Sequence, residues 1–463
     1  MKNIYFDNSL PLFAKFIQKE LGSEYLKNNF FLRDATGVLS FIVLDFRITS
    51  DKRVKLSKKI ARLLGNYVGH DGFALTTADE LFDDTLKDIS IASEVKIEST
   101  EFTGSVLLFE RRLIGADWLR DPKKNLSPKT AKIVFSSVKG GVGRSTALCV
   151  VAAALSRSGK RVLAIDMDLE APGLGNMLLK EDVLPIYGLL DYFVEKNLYE
   201  LGADFFIDIM GPSWISQGRG RVDVVPALGR NCLEYPQNVL SKIARAYLSK
   251  NSDGIIKSFM DYMDDLIGFF SLSGNYDVIL IDARSGLHET TASAMVGLNA
   301  DIFCFGIDQP QTITGYELLF SHLSTFSKNN ISWANKLHFV HAKAQEKSKE
   351  REKFSQLIEQ KIIDYFIDKM PENDIDVSSL KDTFEMDWNE ADTQLLTDIE
   401  NIDIDDKINP VIPILDDNRF QNFNPLADSD SLSESVYTVT FGPLLERVRT
   451  IVSESIVDDN FNE

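Results

Sequence analysis

The stretch "KGGVGRST", Lys139–Thr146, lies between the apolar run "KIVFSSV" and the alanine-rich run "STALCVVAAALSRSG". The first run is typical of a buried strand and the second of a helix. Glycines at such a junction let the backbone bend around an anion with its N–H groups pointing inward. The positive end of the helix dipole faces the same point. The stretch therefore predicts a phosphate-binding loop, with a plain glycine turn as the alternative.

The loop departs from the usual phosphate-loop pattern G-x-x-x-x-G-K-[ST]. Arg144 stands where that pattern has Lys, and its first Gly is absent. The Ser145 hydroxyl would bind magnesium, and Thr146 would contact a phosphate. The residues predicted to hold the nucleotide phosphates are Gly140, Gly141, Val142, Gly143, Arg144, Ser145 and Thr146.

Carboxylates follow two later apolar runs. "VLAIDMDLEAPGLG" carries Asp166 and Asp168, which point the same way from extended backbone because they are two residues apart. One of them could order magnesium-bound water, and the other could orient an attacking water. In "YDVILIDARSG" we expect Asp282 to be a magnesium ligand and Gly286 to let a backbone N–H approach the terminal phosphate. The alternative for each carboxylate is a solvated or turn-capping strand end.

The whole chain has 463 residues, and strands that alternate with helices over most of it predict an α/β fold. The expected sheet is mostly parallel and covered by helices on both faces. A smaller α/β domain precedes it. The predicted divisions are an N-terminal domain at 1–125, the core at 131–345, an acidic helical and loop insertion at 346–407, completion of the core at 408–452, and an acidic tail at 453–463.

The charge is concentrated near the C-terminus. Of the net charge of −19, residues 371–463 carry −18, from 23 acidic and 5 basic residues. This balance disfavours non-specific DNA binding, which depends on neutralising phosphates. The three cysteines form no CxxC pair, so they signal neither a zinc site nor a disulfide framework and fit a reducing cytoplasm. We expect no membrane span and no signal peptide.

Together, "KGGVGRST", "VLAIDMD" and "YDVILIDARSG" resemble the deviant phosphate loop, first switch and second switch of the ParA/MinD ATPases. The resemblance implies ATP and Mg²⁺ as ligands. It also implies that Lys139 reaches the partner's nucleotide in an ATP-dependent homodimer, that Asp168 orients the attacking water and that Asp282 binds magnesium. It places Pro413 and Asp416 in the loop that contacts the base.

Two arginines depart from the family pattern. Arg144 keeps a positive charge but is longer and planar, so we expect nucleotide binding to survive and hydrolysis to be slow. Arg284 stands in the second switch, where the family usually has an uncharged residue. It could clamp a phosphate, or it could pair with Glu170 or Glu289.

The expected function is an ATP-dependent switch that dimerises on ATP and controls an unidentified protein through its N-terminal domain. One alternative is a scaffold that holds ATP without hydrolysing it, and another is a DNA-partitioning or cargo-partitioning ATPase. The final apolar run around Leu444 and Ile451 could lie on a membrane, but the acidic "VDDNFNE" that follows favours packing on the core.

Overall fold

The computed structural model describes residues 4–44, 48–69, 73–112, 114–123, 130–216, 219–252, 255–326, 335–367, 409–427 and 429–460. The chain divides into two compact units, Met1–Ala116 and Asp117–Glu463. The division therefore falls earlier than the predicted boundary at residue 125. Most of the predicted acidic insertion, from 368 onward, lies outside the described residues.

The N-terminal unit is built on a five-stranded mixed sheet with the order β3-β2-β1-β5-β4. β1 pairs in parallel with β5 and antiparallel with β2. The elements are α1 (Phe6–Leu21), α2 (Ser23–Asn28), β1 (Phe30–Arg33), β2 (Leu39–Ile42), α3 (Ser50–Leu64), β3 (Leu75–Thr76), β4 (Ser93–Glu98) and β5 (Thr103–Glu110).

Aromatic packing forms the centre of this unit. Phe13 of α1 contacts Phe31 of β1 edge to face, with ring centroids 5.2 Å apart, and Phe31 contacts Phe41 of β2. α3 turns Leu56, Ile60 and Leu64 toward the same core at helical spacing. The predicted small α/β domain is confirmed.

The second unit contains an eight-stranded sheet with the order β15-β14-β13-β6-β12-β7-β9-β8. All neighbours are parallel except the edge pair β8–β9. Its strands are β6 (Ala131–Ser137), β7 (Arg161–Asp166), β8 (Gly211–Pro212), β9 (Arg221–Val225), β12 (Val278–Asp282), β13 (Asp301–Gly306), β14 (Leu337–Ala344) and β15 (Ile412–Leu415). A separate hairpin joins β10 (Lys250–Ser252) and β11 (Ile255–Lys257).

Helices cover both faces of this sheet, which confirms the predicted mostly parallel α/β core. Alternate residues of β7 enter opposite cores: Val162 joins one hydrophobic cluster, and Leu163 joins the other. The helices are α4 (Arg144–Arg157), α5 (Leu174–Leu178), α6 (Leu189–Lys196), α7 (Ala203–Asp208), α8 (Arg230–Glu234), α9 (Val239–Ala246), α10 (Phe259–Leu272), α11 (Glu289–Ala292), α12 (Pro310–Leu323), α13 (Ser348–Ile362) and α14 (Glu434–Asn460).

The last helix, α14, packs on the core. Leu444, Val448 and Ile451 are buried beside α4 and the sheet, as predicted. The helix continues to Asn460, so the predicted tail at 453–463 begins within it. Within the described ranges, no helix has the length and apolar character needed to cross a membrane.

The strand order decides where the loops meet. β12 lies between β6 and β7, and Asp282 is in register with both Phe135 and Asp166. Because parallel strands end at the same edge of a sheet, the glycine loop after β6 and the acidic loops after β7 and β12 come together there.

Candidate nucleotide site

The glycine loop has the backbone of an anion cradle. Gly141 and Gly143 take positive φ angles of 75° and 88°, in the left-handed region that favours glycine. Gly143 caps α4, whose first hydrogen bond runs from the Ala147 N–H to the Gly143 carbonyl. The amides before Ala147 therefore face out from the helix N-terminus. A Cβ on either positive-φ glycine would meet nothing within 4 Å, so the space above the loop is open.

The walls of the loop are tied to the sheet. The Ser137 hydroxyl at the end of β6 donates to the Lys139 carbonyl at 2.9 Å, and the Gly286 N–H donates to the Ser137 carbonyl at 2.8 Å. Val142 is buried against α4. The glycine loop and the loop after β12 are thus held side by side at the ends of adjacent strands.

Arg144 is buried and joins three elements of the site. Its Nε donates to Asp282 Oδ1 at 2.8 Å, and its Nη1 donates to Ser137 Oγ at 2.9 Å. Its Nη2 lies 3.7 Å from Asp168 Oδ2. The planar fork of a guanidinium lets one side chain reach all three, which an ammonium could not do. Arg144 therefore connects the glycine loop to both acidic loops.

Asp282 is also buried, and its carboxylate accepts two hydrogen bonds. Its Oδ1 accepts from Arg144 Nε, and its Oδ2 accepts from the Ser145 hydroxyl. The predicted pair of magnesium-binding residues, Ser145 and Asp282, is therefore in direct contact. Hydroxyl and carboxylate oxygens are hard donors of the kind that Mg²⁺ prefers.

Asp166, predicted as a magnesium ligand, faces its own loop. Its Oδ1 accepts from the Asp168 N–H, and its Oδ2 accepts from the N–H groups of Gly173 and Leu174, at 3.0–3.1 Å. Complete burial and the nearby Asp282 raise the pKa of Asp166 to about 7, against the effect of these amides. The carboxylate shapes the loop that carries Asp168.

Asp168 is the carboxylate that faces Arg144. One oxygen lies near the guanidinium, and the other accepts from the Ala171 N–H at 3.2 Å. Burial raises the pKa of Asp168, although the Ala171 hydrogen bond and the Arg144 charge oppose the rise. A carboxylate with a raised pKa is a better proton acceptor than a free one.

Arg284 pairs with Glu170, one of the partners left open by the sequence, at 2.7 Å. The other candidate partner, Glu289, accepts from the Asp117 N–H instead. Tyr247, which directly follows α9 and carries no sequence signal, donates its hydroxyl to Glu170 at 2.8 Å. His288 caps α11 beside Tyr247, and burial followed by the Arg284 charge lowers its pKa.

Lys139 extends from the loop toward the end of β13. Its Nζ donates to Gln309 Oε1 at 2.6 Å. A second lysine, Lys343 of β14, donates to the Gly141 carbonyl at 3.0 Å from a backbone with a positive φ of 53°. Sequence reasoning missed Gln309 and Lys343, although both follow or end strands at the edge of the sheet where the site lies.

Pro413 and Asp416, predicted near the base, belong to a different part of that edge. Pro413 lies in β15, in register with His341, and the Asp416 N–H donates to the Ala344 carbonyl at 2.9 Å. β13 and β14 separate this strand from β6.

The residues fit a nucleotide with Mg²⁺. The open glycine cradle and the helix N-terminus suit phosphate, and Ser145 and Asp282 offer hard oxygens. In the part of the chain that the structure describes, no group of three or more His, Cys, Asp or Glu residues could hold a metal alone. Such a site would take its remaining oxygens from the nucleotide and water, as magnesium sites on phosphates usually do.

Residues 133–383 match the model of the "CobQ/CobB/MinD/ParA nucleotide binding domain". The chain belongs to this family. The region that matches contains the glycine loop, both acidic loops and the strands that position them. The predicted ParA/MinD resemblance is thereby confirmed, and residues 133–383 carry a nucleotide-binding domain of this ATPase family.

Two curated relatives come from Methanocaldococcus jannaschii. An iron-sulfur cluster carrier protein is 42% identical over 66 residues, which are 14% of this chain and 23% of that protein. An uncharacterized ATP-binding protein is 27% identical over 161 residues, 35% of this chain and 47% of that protein. The chain thus spans less than half the length of either relative.

Among solved structures, the MinC:MinD cell division protein complex of Aquifex aeolicus is 17% identical, with a TM-score of 0.39. The match covers 69% of this chain and 96% of that one. A ParA family ATPase of Chlorobium tepidum is also 17% identical, with a TM-score of 0.37, over 71% of this chain and 98% of that one.

Proposed function

We propose that the protein is an ATP-hydrolysing molecular switch that dimerises on ATP and controls a partner protein through its N-terminal unit. The observation that carries the proposal is the contact of three loops at one edge of the sheet. Arg144 of the glycine loop touches both Asp168 and Asp282. These contacts unite the phosphate cradle, a magnesium-type donor pair and a candidate water-orienting carboxylate.

The chain's residues divide the work as follows. The amides of 140–146 bind the phosphates, while Ser145 and Asp282 hold Mg²⁺, which would neutralise phosphate charge. Asp168 orients a water and accepts its proton as the water oxygen bonds to the terminal phosphorus and the bond to ADP breaks. Asp166, predicted at first as a metal ligand, is proposed instead to hold the loop of Asp168 in place.

Arg144 is proposed to slow this reaction. In its observed position the guanidinium is bound to Asp282 and Ser137. Contact with a phosphate would require some of these hydrogen bonds to be exchanged, and exchanging buried charge-assisted bonds is costly. We therefore expect turnover well below that of a typical enzyme, whose kcat is about 10 per second.

Lys139 is proposed to act across the dimer. Its ammonium leaves the loop and is held by a neutral side chain, Gln309, rather than by a carboxylate. Releasing an ammonium from a neutral amide costs less than separating it from a carboxylate, so the lysine is available for a partner's phosphates. This role rests on the position of Lys139 in the family motif.

The proposed control through the N-terminal unit is supported by contacts of Asp117, the residue that directly follows this unit. Asp117 is buried, and its N–H donates to Glu289 of α11, the helix directly after the second acidic loop. Its carboxylate accepts from the Met260 N–H and the Ser293 hydroxyl. A movement of the loop after Asp282 would therefore reach Asp117 through α11.

The proposal is tested by ATP affinity and phosphate release of wild type and Asp168→Ala. We expect wild type to bind ATP with Mg²⁺ and release phosphate slowly. Asp168→Ala should bind with similar affinity and lose at least about 100-fold in turnover, the size expected for a general base. Absence of ATP binding by wild type would refute the proposal.

The same measurement separates the switch from a scaffold that only holds ATP. One observation favours the scaffold: Arg144 is bound to Asp282 at 2.8 Å and is therefore not free to contact a phosphate. It predicts tight binding, no phosphate release and no effect of Asp168→Ala. Slow release that depends on Asp168 would exclude it.

A further inference from the structure

A second ion pair, separate from the contacts of Arg144, connects the acidic loops that follow β7 and β12. Arg284 Nη1 lies 2.7 Å from Glu170 Oε1, and the Tyr247 hydroxyl donates to the same oxygen at 2.8 Å. The other oxygen of Glu170 is buried and has no hydrogen-bond partner among the described residues. We refer to Glu170, Arg284 and Tyr247 as the bridge.

The spacing of the bridge repeats in both loops. Glu170 is two residues after Asp168, and Arg284 is two residues after Asp282. Each member of the ion pair therefore shares a short segment of backbone with a carboxylate of the proposed site. Fixing the distance between Glu170 and Arg284 restricts how far Asp168 can move relative to Asp282.

The bridge is itself anchored on both sides. The Thr291 hydroxyl of α11 donates to the Arg284 carbonyl at 3.0 Å. Tyr247 packs against Phe259 and His288, and its burial together with the Glu170 charge raises the pKa of its hydroxyl, which keeps it a donor. Contacts from Tyr247, directly after α9, and from Thr291 of α11 thus hold both loops in position.

We propose that Glu170, Arg284 and Tyr247 are positioning residues for the reaction, which hold Asp168 in place for attack on the terminal phosphate. The inference rests on the proposed ATPase function. Arg284 acts through Glu170 and Asp168 and does not bind phosphate. Because small misplacements of a reacting group can cost about 100-fold in rate, loss of the bridge reduces turnover rather than ATP affinity.

The test compares Arg284→Gln, Glu170→Gln and the double variant. Each single variant should lower kcat about tenfold and leave the Kd of a non-hydrolysable ATP analogue within about twofold. The double variant should be no slower than either single variant, because both remove one interaction. Tyr247→Phe should show a smaller loss of the same kind.

Arg161→Gln provides the matched control. Arg161 begins β7 and pairs at 2.7 Å with Asp277, which directly precedes β12, so this ion pair lies at the opposite end of the two strands from the bridge. Its loss should leave kcat unchanged. Tenfold weaker analogue binding by Arg284→Gln but not by Glu170→Gln would overturn the proposal and make Arg284 a phosphate ligand. Unchanged kcat in both would also overturn it.

A second readout does not need ATP hydrolysis. Hydrogen exchange of the amides at 168–174 should accelerate at least about threefold in both Glu170→Gln and Arg284→Gln without nucleotide, because local opening is easier. Unchanged exchange would contradict the bridge even if wild type proved inactive. If wild type released no phosphate but exchange was accelerated in both variants, the ATPase proposal would be refuted. The role of the bridge in holding the loop of Asp168 would still stand.

Discussion

Two arginines of the nucleotide site do different work because their surroundings differ. Arg144 retains 10% of its side-chain exposure and binds a carboxylate that is 3% exposed. Arg284 retains 29% and binds Glu170, which is 25% exposed. The Arg144–Asp282 pair is therefore shielded from water, whereas water can still hydrate the Arg284–Glu170 pair and weaken its attraction.

This difference predicts different costs when each arginine is removed. A buried carboxylate that loses its cation is left as an uncompensated charge. A carboxylate that keeps a quarter of its exposure, as Glu170 does, recovers contact with water instead. We therefore expect Arg144 to be essential for the stability of the fold, and Arg284 to matter for the reaction alone.

The largest effect is expected for Arg144→Met. Removal of the guanidinium leaves Asp282 buried with only the Ser145 hydroxyl and should reduce the free energy of unfolding by about 3 to 5 kcal/mol. Urea unfolding followed by circular dichroism measures it. Arg144→Lys should recover part of the loss. A loss below about 1 kcal/mol would show that the buried pair does not support the fold.

A large pH effect is expected from Asp166. Its folded pKa of about 7 lies above its ordinary value, so the folded protein binds this proton more tightly than the unfolded chain does. The resulting contribution to the free energy of unfolding is present at low pH and is lost as pH rises from about 4 to about 7. The protein without nucleotide should lose about 2 to 4 kcal/mol over this range relative to Asp166→Asn. Parallel unfolding curves for the two proteins across these pH values would contradict the shift.

A smaller effect is expected for Asp117→Ala. The change removes acceptors from the Met260 N–H and the Ser293 hydroxyl and should cost about 1 to 3 kcal/mol. If Asp117 also transmits the nucleotide state, the variant should retain ATP binding while proteolysis within 1–116 no longer responds to ATP. Wild-type protection by ATP in this variant would exclude Asp117 from the transmission.

The smallest effect on stability is expected for Arg284→Gln. Ion pairs that remain in contact with water contribute about 1 kcal/mol or less, so its unfolding midpoint in urea should stay close to that of wild type. A loss as large as that of Arg144→Met would remove the distinction between the two arginines.

Much of the site was predictable because its residues follow apolar runs. Short buried strands followed by Lys139, Asp168 and Asp282 predict that these residues share one edge of a parallel sheet. In the structure Asp168 and Asp282 both lie beside Arg144 at that edge. The residues alone left open which of Asp166 and Asp168 faces the site, and only the family resemblance assigned the water-orienting role to Asp168. Which of them faces the site depends on how the chain from 167 to 174 turns back on Asp166, which no periodicity encodes.

Hydrogen-bond partners that come from distant parts of the sequence were also not predictable. Tyr247 reaches Glu170 from directly after α9, a helix without a motif, and Asp117, the first residue of the second unit, donates to Glu289 of α11. Two strands of the N-terminal unit, β1 and β4, carry only a weak sequence signal. β1 has only four residues, and β4 is an edge strand that alternates charged residues with few buried ones.

The most direct test of the switch is the assembly state of Asp168→Ala by analytical ultracentrifugation with ATP and Mg²⁺. Without hydrolysis, the variant should remain an ATP-bound dimer, and the double variant Lys139→Ala/Asp168→Ala should bind ATP as a monomer. A monomeric Asp168→Ala protein saturated with ATP would contradict the account, as would a dimer that persists without Lys139.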